Sequence, residues 1–507
     1  MTTVASAHRG TDGAGAGTRR RVARLLRTEV TLAWRFNAIA ATAVVTGLWV
    51  IVLRTVAASA TDVLTPVVLL TDVTALGFLF VPALLVLERV EGVEAAMRVT
   101  TVRVAERVGV RVGVTTTLSV AAALAVCAAA GLPAVPPRVL GVALLSVLFG
   151  LIAFALTGGA TTLTAFLTRA PLVAAPLIAP ALVHLAGLAT TPALYVSPVT
   201  SAVDLLRGDA HVVGIVWQLV WIAAVGTTVG RILRRSPPAG DARAVRSGGG
   251  ARHASAWPGH RGTYSVAAAV GSFARVDRRS LVRDGLLVML VASVPLLALV
   301  TRLIAGLGVE WASQRHGLAL GPYLPLVEDV LLVVHTPVIF GSLAGLLLLE
   351  DRDAGLYAPL TATRAGLHTL LGYRLSATVA LTTGALLVSL PFDGVAHAAG
   401  GVGVAATAVA AGATSVVPAL VMAATARNRV QGVAVMKMLG LPLYLPLATW
   451  ALEGPARWAF APLPTTWAMW ASWASTPRGA VVAACGAVAV STACTVPLVR
   501  QVVRRAF

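Results

Sequence analysis

Long apolar runs recur along this chain, and arginine bounds many of them. Each is about 20 residues, enough to cross a bilayer as one helix. This pattern constrains the fold more than any single motif. The chain is 57% hydrophobic and 12% charged, against about 25% charged in soluble domains. A water-soluble fold of this size has no way to hide so much apolar surface. The short alternating segments of a transmembrane barrel are absent. The expected fold class is therefore an all-α integral membrane protein. Its formal net charge of +19 is almost all arginine, with Lys437 the single lysine. Arginine marks the cytoplasmic flanks of spans, which accounts for the charge better than a nucleic-acid partner does. Cys127, Cys485 and Cys494 lie in apolar runs without metal-ligand spacing and read as small buried hydrophobes.

Taken in order, residues 1–17 are Gly/Ala/Thr-rich and read as a disordered tail. From Arg19, apolar residues Val22, Leu25, Leu26, Val30, Ala33 and Trp34 share one helical face, and most of the arginines take the other. That pattern predicts a basic amphipathic helix lying in the membrane interface. The alternative is an ordinary positive flank. No cleavage site follows. Spans are expected at about 38–53, 66–87, 112–130, 139–163, 172–188 and 212–232. Residues 190–209 are too polar to span and read as a short outer or re-entrant helix before the sixth. Residues 236–262 are a Pro/Gly/Ser-rich basic linker. The plan then restarts, with a basic lead-in at 266–284. Spans follow at about 286–304, 325–349, 375–390, 401–425, 433–452 and 480–499. A second outer segment begins at Phe460, where Pro464-Thr465-Thr466 answers Pro198-Val199-Thr200. The expected architecture is about 12 transmembrane helices in two parallel six-helix repeats, residues 18–235 and 263–507. Each repeat is preceded by an interface helix, and both termini face the cytoplasm.

Two charged stretches stand out. LERVEGVEAAMRVTTVRVAER runs from Leu87 to Arg107, and LEDRDAGLYAPLTATR from Leu349 to Arg364. Both start with Leu-Glu at the end of an apolar run and continue through charge, a glycine, small residues and threonines. Mixed charge around small residues suits a short surface helix that docks into a protein groove. A loop that only set topology would need arginine alone. The competing reading is a solvated loop with incidental charge. Among enzymatic signatures, the phosphate-binding loop, the HExxH zinc motif, the serine elbow and carboxylate clusters with metal spacing are all missing.

These features together resemble a type-2 ABC exporter permease. They are an interface helix, six spans, an E-x-x-E-G-like segment after span two and a short outer helix before span six. The resemblance is nearest to fluoroquinolone or antibiotic exporters, here with two half-permeases fused. The family's segment runs Glu, charged residue, Gly, small residues, Thr-Pro. The positions here are Glu88, Glu91, Gly92, Arg98, Thr100 and Thr101, then Glu350, Asp353, Gly355, Thr361, Thr363 and Arg364. The proline after threonine is missing from both copies. The resemblance implies a bacterial cell membrane and a separate ABC ATPase, in two copies, that uses ATP and Mg. Lipid and a small hydrophobic or amphipathic substrate are the other expected partners. No cofactor is expected on the chain itself, and no nucleic acid.

Ionisable groups inside spans are costly and are functional candidates by default. Asp72 and His335 fall at similar depth in the two halves. They pair or line the pathway on one reading, and are a local cap and a satisfied buried histidine on the other. Glu328 and Asp329 are expected in water at the outer start of their span. Trp467, Trp470 and Trp473 read as an interfacial belt. The rival class is an ion-gradient-driven secondary transporter with six plus six spans. It would need a titratable relay, and Asp72 with His335 is a thin one.

Overall fold

A computed structural model describes residues 7–55, 58–90, 93, 100, 102–133, 135–158, 163–187, 189, 191–235, 271, 285–316, 319, 321–361, 366–450, 452 and 454–505. Among them every regular element is a helix. Among the described residues, nine helices are long and apolar enough to cross a membrane, or ten if one bent pair counts as a single span. The chain divides into two compact units, Met1–His260 and Arg261–Phe507. The expected linker at 236–262 lies outside the described residues, as does the second lead-in at 266–284 apart from Gly271.

In the first unit, α1 (Ala7–Arg35) meets α2 (Ala38–Thr55) at a corner, where the axis turns by 61°. Asn37 makes the turn with φ 59°, a left-handed conformation that asparagine tolerates better than most residues. Leu26, Val30 and Trp34 lie four residues apart on α1 and are all exposed. An open apolar stripe beside exposed arginines is the pattern of a helix lying in the membrane interface. The chain continues through α3 (Ala58–Val90), α4 (Val104–Ala129), α5 (Pro136–Thr157), α6 (Leu163–Leu185), α7 (Pro198–Arg207) and α8 (Val212–Arg235). The fourth long helix stops at Thr157 rather than running through Gly158 and beyond as expected. Leu69, Leu70, Leu145, Phe149, Val203 and Leu206 form the centre of the core between α3, α5 and α7. Phe78 packs edge-on against Phe149 and Phe166, at 5.6 and 5.5 Å between ring centroids.

The second unit opens with α9 (Gly285–Leu303), which runs on through a π-turn into α10 (Val309–His316). Its second pass is α11 (Leu324–Glu328), a π-turn at Asp329–Val333 and α12 (His335–Asp353). Then come α13 (Tyr357–Thr361), α14 (Gly366–Ser389), α15 (Gly400–Thr414), α16 (Val416–Thr425), α17 (Arg429–Tyr444), α18 (Pro464–Ser472) and α19 (Pro477–Arg504). Gly341 and Gly345 form a G-x-x-x-G face on α12. A Cβ on Gly341 would strike the carbonyl of Ser415, and one on Gly345 would stand 2.9 Å from Cβ of Met422. Small residues are what allow two apolar helices to approach this closely where no water drives them together.

Among the described residues, each unit has a short helix, α7 or α18, just before its last long helix. Glu328 and Asp329 contradict the expectation of a watery position. They are 1% and 0% exposed. The π-turn that starts at Asp329 is packed against α9, α15 and α18, so this part of the pass is enclosed rather than at a rim.

Candidate functional site

The charged stretch in the first unit is framed by helix ends held together through buried ions. Glu88 closes α3, and Arg107 and Arg111 stand on the first two turns of α4. Arg111 is 1% exposed. Its Nη1 and Nη2 donate to Glu88 at 2.9 and 2.5 Å, and its Nε and Nη2 donate to Glu29 of α1 at 3.0 and 2.6 Å. Arg107 also pairs with Glu88. One guanidinium therefore spans two carboxylates, the geometry in which arginine differs most from lysine. Burial works against charge on Glu88, yet the hydrogen bonds and positive charge of Arg111 and Arg107 outweigh it and hold the carboxyl below its ordinary value. Arg21 of α1 reaches Glu106 at 3.3 Å. Glu106 in turn accepts from the Arg103 backbone N–H at 3.0 Å, which ties down the start of α4. Arg89 donates to the carbonyl of Thr157, the last residue of α5, at 2.7 Å, a cationic cap on a helix C-terminus.

In the second unit the stretch itself is visible to Thr361. Asp351 pairs with Arg374 of α14 at 3.2 Å. Arg352 donates to the carbonyls of Ala423 and Ala426 at the end of α16, at 3.4 and 2.8 Å. Gln501 and Arg505 of α19 take the neighbouring carbonyls of Ala424 and Thr425. Glu350 and Asp353 both meet Arg429 of α17, at 3.2 and 3.5 Å. Gly355, at φ 73°, ends α12 as a left-handed cap. Its N–H bonds to Arg352 and that of Leu356 to Asp351, the Schellman pattern. The chain then turns into α13. Tyr357 is buried and donates to the Leu348 carbonyl at 2.8 Å. Burial pushes its hydroxyl up, so it stays a donor. Leu356 remains 46% exposed.

The two frames match. Glu88 answers Asp351, Arg89 answers Arg352, Gly92 answers Gly355 and Arg111 answers Arg374, each pair 263 positions apart (351 − 88). The contacts therefore set the repeat one residue away from the register in which Glu88 answers Glu350. Asp72 and His335 share the same separation. His335 is half-buried, with Nδ1 2.8 Å from the Tyr444 hydroxyl. Asp72 lies on α3, but its side chain is outside the described ones, as is that of Thr361. Glu91, Gly92, Arg98, Thr101, Thr363 and Arg364 also lie outside the described residues, and Thr100 is exposed. Glu29, Arg374, Arg429 and Leu356 were not singled out by motif. An arginine just inside an apolar run, as at Arg111 and Arg374, was the available signal.

At the far end of the helices the short helices also match. Thr200 Oγ1 donates to the Leu194 carbonyl at 2.7 Å, and Thr466 Oγ1 to the Phe460 carbonyl at 2.6 Å. The same six-residue back-bond thus joins the two segments that sequence had paired. In the first unit Arg138 caps α7 through the carbonyls of Leu206 and Arg207. Asp204 on α7 receives the Tyr195 hydroxyl at 2.8 Å and faces His184 at 2.8 Å. Burial and this bond raise Tyr195 to about 12. A cleft of about 550 Å³ lies along α7 and α8, lined by Tyr195, Asp204, His211 and Trp217.

The second unit has a cleft of about 420 Å³ in the corresponding place, along α18 and α19. Trp458, Trp467 and Trp470 line it, with centroids 5.0 to 6.2 Å apart. Arg457 lies 5.0 Å from the centroid of Trp470. These rings pack on one another, with Trp467 and Trp470 half-buried and Trp458 exposed. Gly486 of α19 leaves room for the Trp467 indole.

Residues 20–231 match the Fluoroquinolones export permease protein family, and residues 277–499 match the family described as Fluoroquinolones export permease protein Rv2686c-like. Two curated relatives from Mycobacterium tuberculosis are the Fluoroquinolones export permease proteins MT2760 (strain CDC 1551 / Oshkosh) and Rv2686c (strain ATCC 25618 / H37Rv). Each is 31% identical over 212 residues, covering 42% of this chain and 84% of the relative. No solved structure matches significantly.

Proposed function

The chain belongs to the fluoroquinolone export permease family, and from that membership we propose that it is the membrane subunit of an ATP-driven drug exporter. It is a multi-pass membrane protein of the transport class. The finer reading has three parts. A separate ABC ATPase, in two copies, binds ATP and magnesium and drives transport. It docks on the segments after the second long helix of each unit, on the cytoplasmic side. The cargo is a small hydrophobic or amphipathic aromatic compound, carried out of the cell.

The observation that carries this reading is the repeated frame. In both units an arginine cap and an ion pair fix the helix ends around the segment. The tip of the second segment carries the exposed Leu356 beside α13. A rigid base under an exposed apolar tip is suited to transmit a push from a partner. A gradient-driven carrier has no need of such a base.

The test is reconstitution in liposomes with the cognate ATPase. Leu356→Asp is expected to cut substrate-stimulated ATP hydrolysis at least about tenfold, with insertion and thermal midpoint unchanged. Proton-driven export by the chain alone would overturn the proposal.

A further inference from the structure

At the end of α12's pass opposite the charged stretch, three metal-ligating side chains from two segments converge. Glu328 closes α11. Asp393 and His397 come from the loop between α14 and α15. Their ligand atoms all lie within 4.8 Å of one another. Glu328 Oε1 is 3.4 Å from His397 Nε2. Glu328 is 1% exposed, and neither of its carboxylate oxygens has a hydrogen-bond partner. The inner oxygen of Asp393, Oδ2, and the Nε2 of His397 are also without one. A second buried acid, Asp329, stands beside Glu328. The nearby arginine, Arg302, is turned to the Phe392 carbonyl. Buried carboxylate oxygens with no donor are costly, and here two segments aim two such carboxylates and an imidazole at one point.

We propose that Glu328, Asp393 and His397 bind a divalent transition-metal cation of the zinc or manganese class. Two carboxylates and one imidazole are a borderline-hard donor set that suits these ions. Donors about 2.1 Å from a tetrahedral ion stand roughly 3.4 Å apart, the spacing already present between Glu328 and His397. Asp393 closes the set by a small movement of its loop. Its other oxygen, Oδ1, accepts from the Val395 N–H at 2.8 Å, which orients the carboxylate as outer-shell bonds do for metal ligands. The ion ties the second long pass to the loop after the third and leaves at least one coordination position open. The site has no counterpart role in ATP coupling, so it stands or falls independently of the transport reading.

The experiment uses the full chain, tag removed, purified in detergent and treated with a chelator. ZnCl₂, MnCl₂ or CoCl₂ is then added, and bound metal per chain and the thermal midpoint are measured. One tightly held ion per chain, a raised midpoint and a tetrahedral cobalt spectrum are expected. His397→Ala, in the loop between α14 and α15, is expected to weaken binding at least about tenfold and abolish the midpoint shift. Glu328→Gln, of the same shape, is expected to do the same. Absence of bound metal in the parent chain would overturn the proposal. So would equal affinity in the His397→Ala variant. A Glu328→Gln chain that is more stable, alongside a parent that ignores metal, would make this a proton site instead.

Discussion

Arg111 is the residue on which most of the first unit's charged end depends. It touches both Glu29 and Glu88, and all three are largely buried. Arg111→Met keeps the volume but leaves two buried carboxylates with fewer partners. Removing one member of such a network costs about 3–5 kcal/mol. A clear fall in thermal midpoint is expected, measured on the detergent-solubilised chain. The pH dependence of this network has a definite sign. Glu88 is held below its ordinary value of 4.5, so its contribution is present in full above that pH. It is lost only as pH falls through the lowered folded value. The parent and Glu88→Gln chains should differ by a constant midpoint gap from pH 8 to pH 5. That gap should close in stronger acid, and one that widened there would contradict the assignment.

At the scale of the element, the helices were legible because hydropathy and arginine placement are read directly from the chain. Their bounds shifted where backbone geometry intervened, as at Thr157 and at the Asp329–Val333 π-turn. The register of the repeat was harder. Leu-Glu opens both charged stretches, so text alone pairs Glu88 with Glu350. The side chain that meets the following helix in the second unit is Asp351, one position on. Which carboxylate points at Arg374 is a matter of helical phase, and two adjacent acids hide it. The burial of Glu328 was likewise invisible, because it depends on a loop about 65 residues downstream (393 − 328). The Gly341/Gly345 face shows the same dependence on contact. Gly345→Leu forces α12 off α16, and overpacking of this kind costs about 1–3 kcal/mol. Its effect is expected in both thermal midpoint and ATPase coupling, since α12 leads into the segment that carries Leu356.

For the molecule as a whole, each unit has its own core and its own charged frame. The fused chain is therefore proposed to behave as two half-permeases joined by a passive linker at 236–262. Chains 1–248 and 249–507 expressed together are expected to restore export. Either alone is expected to insert without transporting. A drug-accumulation assay in cells carrying the ATPase decides this. Failure of the co-expressed halves, with both present in the membrane, would mean the linker does more than join.

The far-end clefts show what fusion permits. A symmetric pair of identical half-chains must repeat every side chain at both sites. Here one cleft carries Asp204 and Tyr195, and the corresponding one carries Arg457 over tryptophans. The two clefts thus differ in chemical character, while the frames at the charged end are alike. A substitution in one cleft therefore leaves the lining of the other unchanged.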